Sequence, residues 1–152
     1  MKIFFLCRTG SHTSVLAAGI YLNLIAGKSE FKKKIDLLPG FDELDPKQIG
    51  KPFFVGRDKN YNDIYTIGVA KENKLMSKAA GELLTIIGAA TKEWRIIDMS
   101  PAVSKWTVCG LVLRKIHLYS LAKAFFYLGA KREIPRLHKI LSQHKLLNSA
   151  SA

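Results

Sequence analysis

Lys2-Ile3-Phe4-Phe5-Leu6, then Cys7-Arg8-Thr9-Gly10-Ser11-His12-Thr13-Ser14, then Val15-Leu16-Ala17-Ala18-Gly19-Ile20-Tyr21 is the stretch on which the fold turns. Lys2 to Leu6 is short, aromatic and apolar, and it stops at a glycine-containing loop, the pattern of a buried strand. Ser11 to Ser14 supplies hydroxyls of the kind that cap helix N-termini. Val15 to Ala26 is apolar nearly all round, as a helix buried on every side would be, with Gly27 as its C′ residue. The chain thus opens as strand, tight loop, buried helix. The apolar run Ile3 to Cys7 is shorter than the core of a signal peptide and is ended by Arg8, so a first strand explains it better than a leader.

Working outward, Lys28 to Lys51 is a polar connection with room for one helical turn, broken at Pro39-Gly40 and Asp45-Pro46. Phe53 to Arg57 and Ile64 to Val69 are strand candidates, and the turn formers Asp58 to Asp63 between them predict an antiparallel hairpin. Lys74 to Ala89 is amphipathic, with Leu75, Ala79, Leu83 and Ile86 on one stripe and Met76, Ala80, Leu84 and Ile87 beside it; Gly88 ends it. Trp94 to Met99 reads as a strand stopped at Ser100-Pro101, and Cys109 to Ile116 as a short helix. Ala124 to Leu128, carrying Phe125, Phe126 and Tyr127, reads as a last strand. Gly129 then turns the chain, and Pro135 opens a final helix with Ile134, Leu137, Ile140 and Leu141 inside. The expected fold is α/β: one domain over residues 1–148, a central mixed sheet of about five strands flanked by helices, and a short tail at 149–152.

Composition narrows the classes. The 152 residues are 48% hydrophobic and 24% charged, which suits a packed core and argues against disorder. Two cysteines cannot build a disulfide scaffold, and no Cys/His spacing suggests a metal; His138 and His144 are six apart, not the four that places two ligands on one helix face. No Gly-x4-Gly-Lys-Ser/Thr run is present, and no cofactor is expected. Val108 to Leu113 and Ala124 to Ala130 are too short to span a bilayer. The expectation is a cytoplasmic protein with reduced thiols.

The loop from Cys7 to Ser14 is where chemistry is expected. Ligands of open α/β sheets bind beyond the carboxyl ends of strands, and a helix N-terminus offers free N–H groups to an anion. Gly10 allows close backbone approach, and Ser11, Thr13 and Ser14 add hydroxyls. Arg8 lies beside them. Cys7 at the base of such a cradle is a candidate nucleophile, and His12 a candidate proton shuttle. The competing reading is a small buried core cysteine followed by ordinary capping. Cysteine phosphatases carry Cys-x5-Arg-Ser/Thr, but here Thr13 and Ser14 occupy the last two places, so the clamping arginine is missing. Arg57 and Lys131 follow other strand candidates and are candidates to replace it. Asp98, ending its strand, is a possible acid or base.

These motifs resemble a bacterial protein family of unknown function whose members open with a strand and Cys-Tyr-Gly-Gly-x-His-Ser-Ser-Val. The corresponding run is Cys7-Arg8-Thr9-Gly10-Ser11-His12-Thr13-Ser14-Val15, so Cys7, Gly10, His12 and Ser14 match. The resemblance continues at Leu38-Pro39-Gly40-Phe41-Asp42, Gly56-Arg57-Asp58, Asn62, Ile64-Tyr65, Gly68, Gly110 with Arg114, and Tyr127-Leu128-Gly129. Thr9 and Thr13 depart from the motif; Cys109 and Lys123 also stand where the family has other residues. No activity comes with the resemblance.

Charge suggests partners. The formal net charge is +12, and residues 101–152 hold nine Lys/Arg against one acid, Glu133. The leading expectation is a site for a phosphate-like anion or other small molecule, with Cys-dependent transfer or hydrolysis on a phosphorylated or thiol-reactive substrate as its enzymatic form. The alternative is a non-catalytic binder of nucleic acid or another polyanion through that basic third. A protein-interaction module without chemistry is the third.

Overall fold

Strand β1 (Lys2–Cys7) lies inside the sheet, which is why Ile3 to Cys7 reads as a continuous apolar run: a strand covered on both faces has no solvent side to alternate with. Its neighbours are β3 (Asp63–Gly68) and β4 (Trp94–Asp98), both parallel to it. Strand β2 (Phe53–Arg57) pairs antiparallel with β3, as the Asp58–Asp63 turn predicts, and the order is β2-β3-β1-β4. The computed structural model describes residues 1–25, 30–43, 49–70, 73–90 and 92–147. Gly27, the Asp45-Pro46 break and the tail at 149–152 lie outside them.

Register assigns the faces. Ile3, Phe5 and Cys7 stand beside Ile64, Thr66 and Gly68 on one face, and helix α1 (Thr13–Tyr21) packs there with α5 (Tyr119–Gln143) behind it. Every residue of α1 is buried, polar Thr13 and Ser14 included, and the run from Val15 to Tyr21 is apolar on every side as expected. Helix α2 (Phe31–Asp36), the one turn expected in the polar connection, adds Ile35 to the same core, with Leu38 and Phe41 just beyond it. On the opposite face α3 (Asn73–Ile86) lies against β4 and β1. It does so through half-buried Ser77, Ala80, Gly81 and Leu84. The expected stripe Leu75, Leu83 and Ile86 is instead exposed, because one small helix face suffices to meet Trp94.

Among the described residues the sheet has four strands, not five. The expected last strand, Ala124–Leu128, lies inside the 25-residue α5. Aromatic residues favour strands locally, but the buried positions Ala122, Phe126, Ala130, Glu133, Leu137 and Leu141 follow helical spacing over many turns, and tertiary packing decides. Gly129 does not turn the chain either. It lets α4 (Lys105–Lys115) cross at close range: a Cβ there would fall 2.1 Å from Thr107 Oγ1. Pro135 sits in the helix interior on the solvent side rather than in its first turn. Helix α4 starts four residues before the expected Cys109, where the Ser104 hydroxyl accepts the Thr107 N–H at 3.2 Å and caps it.

Candidate functional site

After β1 the chain passes through α1 on one face of the sheet; after β3 it passes through α3 on the other. The carboxyl ends of these adjacent parallel strands therefore send their connections apart, and the crevice this opens is where ligands of such sheets bind. A cavity of about 360 Å³ lies there. Thr9, Gly10 and Ser11 from the β1 loop line it, with Thr66 and Gly68 from β3, Gly40, Glu43, Lys51 and Phe53 beside them, and Arg114 from α4.

Two glycines close its floor. Gly10 has φ +77°, and a Cβ on it would fall 2.5 Å from the Gly68 amide nitrogen. The two loops are then tied by backbone bonds beyond the strands, Val69 N–H to Cys7 C=O at 3.0 Å and Ala70 N–H to Arg8 C=O at 3.0 Å.

The loop residues divide into an inner and an outer set. Cys7 is inner: its sulfur is buried, accepts the Gly10 N–H at 3.2 Å and lies 3.1 Å from Ser14 Oγ. It is ringed by hydrogen-bonding groups but is not among the residues lining the cavity. Thr13 is also inner, donating its hydroxyl to Glu133 at 2.9 Å. Thr9 and Ser11 are outer, with hydroxyls 3.2 and 3.1 Å from His12 Nδ1. The His12 ring is buried against Phe126, with centroids 4.2 Å apart, and its Nε2 donates to Asp42 Oδ1 at 3.1 Å. Arg114 grips the same Asp42 carboxylate and donates to the Asp42 backbone carbonyl at 2.7 Å. A string of contacts thus runs from α4 through Asp42 and His12 to two hydroxyls on the cavity wall.

Thr66 stands apart from all of these. It is 1% exposed and lines the cavity, yet its hydroxyl has no hydrogen-bond partner among the described residues. Buried hydroxyls without partners are uncommon and costly.

Other expected residues lie elsewhere. Arg8 is exposed. Arg57 ends β2, which runs opposite to β1, so it lies at the amino end of the sheet, where it pairs with Asp63 at 2.6 Å. That bond holds the Arg57 pKa above its ordinary value and the Asp63 pKa below. Lys131 lies on α5 with its ammonium 5.9 Å from the Phe31 ring, in a cluster with Lys32 and Lys33. Asp98 accepts the Ser100 N–H at 2.9 Å and caps a turn. Cys109 is exposed on α4. No group of three or more metal-ligating side chains is found among the described residues, and no helix among them is long and apolar enough to cross a membrane.

Lys51 and Thr66 carried no signal in the sequence. Asp42 and Arg114 stood only in the motifs of the family resemblance, and Glu133 only as the single acid in a basic third. Its buried carboxylate also accepts the Ser104 N–H at 2.8 Å and the Thr107 hydroxyl at 2.5 Å, joining α1, α4 and α5.

Residues 2–146 match the family model described as protein of unknown function (DUF3189). No curated protein and no solved structure is matched by the chain.

Proposed function

The chain belongs to the family described as protein of unknown function (DUF3189), and from that premise we propose, on chemistry alone, that its β1–β3 crevice binds a small polar molecule bearing an acidic, phosphate-like group. The observation that carries this reading is the cavity at the divergence of the two strands with the partnerless Thr66 hydroxyl in its wall. Lys51 and Arg114 supply cationic donors to the acidic group, Thr9 and Ser11 supply hydroxyls, and Phe53 offers an apolar wall. The volume stands at the small end of ligand sites, about 300 Å³ and upward. In this reading Cys7 is a positioning residue: its sulfur holds the Gly10 N–H and Ser14, and so the curl of the loop. The nucleophile role expected for it has less support, because the sulfur faces the loop's interior.

Isothermal titration calorimetry with inorganic phosphate tests this. One saturable site is expected, weakened about tenfold or more in Lys51→Met, since a charged donor in a partly desolvated site contributes about 1.5 kcal/mol or more. A flat titration of the folded wild type would overturn it.

A second reading has its own observation. Lys32 and Lys33 of α2 and Lys131 of α5 line one surface with Phe31 and Glu30, where Lys33 pairs with Glu30 at 3.5 Å and the other two lysines lie over the Tyr127 and Phe31 rings. Binding of nucleic acid or another polyanion at this face would show as affinity for single-stranded RNA that falls steeply with salt and drops in Lys32→Glu. No affinity at low salt would remove it.

A further inference from the structure

The geometry points to Thr9 as a nucleophile, activated by His12 and Asp42, toward small carboxylic esters that carry an acidic group; this rests on the cavity being the ligand site. An ionised carboxylate can only accept, so Asp42 fixes the proton of a neutral His12 on Nε2 and leaves the Nδ1 lone pair facing the hydroxyls. Arg114, bound to both the carboxylate and the backbone carbonyl of Asp42, holds that acceptor in place. The resulting order, hydroxyl to imidazole to carboxylate, is the arrangement by which a weak hydroxyl nucleophile is activated.

Of the two hydroxyls near Nδ1, Ser11 is 4% exposed whereas Thr9 is only half-buried, so Thr9 is the more accessible of the two to a substrate in the cavity. The Thr66 hydroxyl is an unfilled partner for a polar group of that substrate.

The reaction balances with water as the second reactant. Thr9 Oγ attacks the ester carbonyl carbon and forms a C–O bond, while its proton passes to His12 Nδ1. The tetrahedral adduct collapses, the ester C–O bond breaks, and the departing alcohol takes the proton from Nδ1. Water then adds to the acyl carbon and gives its proton to Nδ1. The bond from Thr9 Oγ breaks, Thr9 recovers that proton, and ester plus water have become carboxylic acid plus alcohol.

A fluorophosphonate probe tests this, because it phosphonylates activated hydroxyls with loss of fluoride. The folded wild type should be labelled, and peptide mass spectrometry should place the label on Thr9. Heat denaturation should abolish labelling. Thr9→Ser should keep it, His12→Asn should slow it about a hundredfold, and Asp42→Asn should slow it as well. Inorganic phosphate should protect. No label on the folded wild type, or a label on Ser11, Cys7 or a lysine, would overturn the assignment. The calorimetric phosphate titration on the same preparation separates the two readings. Phosphate binding without labelling sinks the nucleophile alone, and neither signal sinks the ligand site with it.

Discussion

At the amino end of the sheet, Asp58 accepts the Asn60 and Asn62 N–H groups, each at 2.8 Å, the Asn62 side-chain amide at 2.7 Å and the Tyr21 hydroxyl at 2.5 Å. Arg57 and Asp63 close the same end with each other. At the carboxyl end the loop of Thr9 to Ser14 is rich in hydroxyls, yet it borders a cavity where the Thr66 oxygen has no partner among the described residues. Both ends are built from short polar side chains around a tight turn. The Asp58 turn closes on its own side chains, whereas the loop at the carboxyl end borders a cavity, and the proposed ligand site rests on that contrast.

The contrast can be strained hardest at the glycines. Gly10→Ala combines a left-handed backbone with a Cβ driven into the Gly68 amide, and should destabilise by about 3 kcal/mol in urea unfolding. Gly88→Ala has a similar positive φ in open space and should cost about 1 kcal/mol. Equal losses would show that the two loops do not need their close contact.

Hydroxyl removal should act with opposite signs at the two ends. Tyr21→Phe deletes a donor to Asp58 and should lower stability by about 1 kcal/mol. Thr66→Val deletes a partnerless oxygen and should raise stability by about 1 kcal/mol while weakening phosphate binding. A destabilised Thr66→Val would mean that the oxygen is already satisfied.

Acid should be felt mainly at the amino end. Burial raises the Asp58 pKa, but the hydrogen bonds from Tyr21, Asn62 and Asn60 outweigh it, so the folded value lies below the ordinary one. The stability this contributes is present above the ordinary carboxylate pKa of about 4 and is lost as pH falls through the folded value. Urea midpoints measured from about pH 5 downward should therefore decline, and Asp58→Asn should flatten the decline. Smallest of all, Arg57→Ala should leave phosphate binding unchanged, since that side chain lies at the end away from the cavity.

How far the sequence foretold this follows from where each signal resides. Strands β1 to β4, the hairpin and helix α1 were legible because their signals are local: a bounded apolar run, a cluster of turn formers, a helix apolar on every side. Helix α5 was not, because Phe125-Phe126-Tyr127, Gly129 and Pro135 each carry a local preference against it. Only the long spacing from Ala122 to Leu141 shows the helix. The loop Cys7–Ser14 was legible as a place, but not which of its side chains face in. Arg114 and Asp42 lie 72 residues apart and meet only through the crossing of α4 and α5 over the core, which no spacing rule reports.

The most direct test of the ligand site is the amide spectrum of the ¹⁵N-labelled wild type titrated with inorganic phosphate. Saturable shifts at Gly10, Ser11, Thr66 and Gly68, with Asn60 and Asn62 unmoved, are the predicted result. Shifts spread over the lysines of α2 and α5 with the Gly10 and Gly68 amides still, or no shifts anywhere, would contradict it.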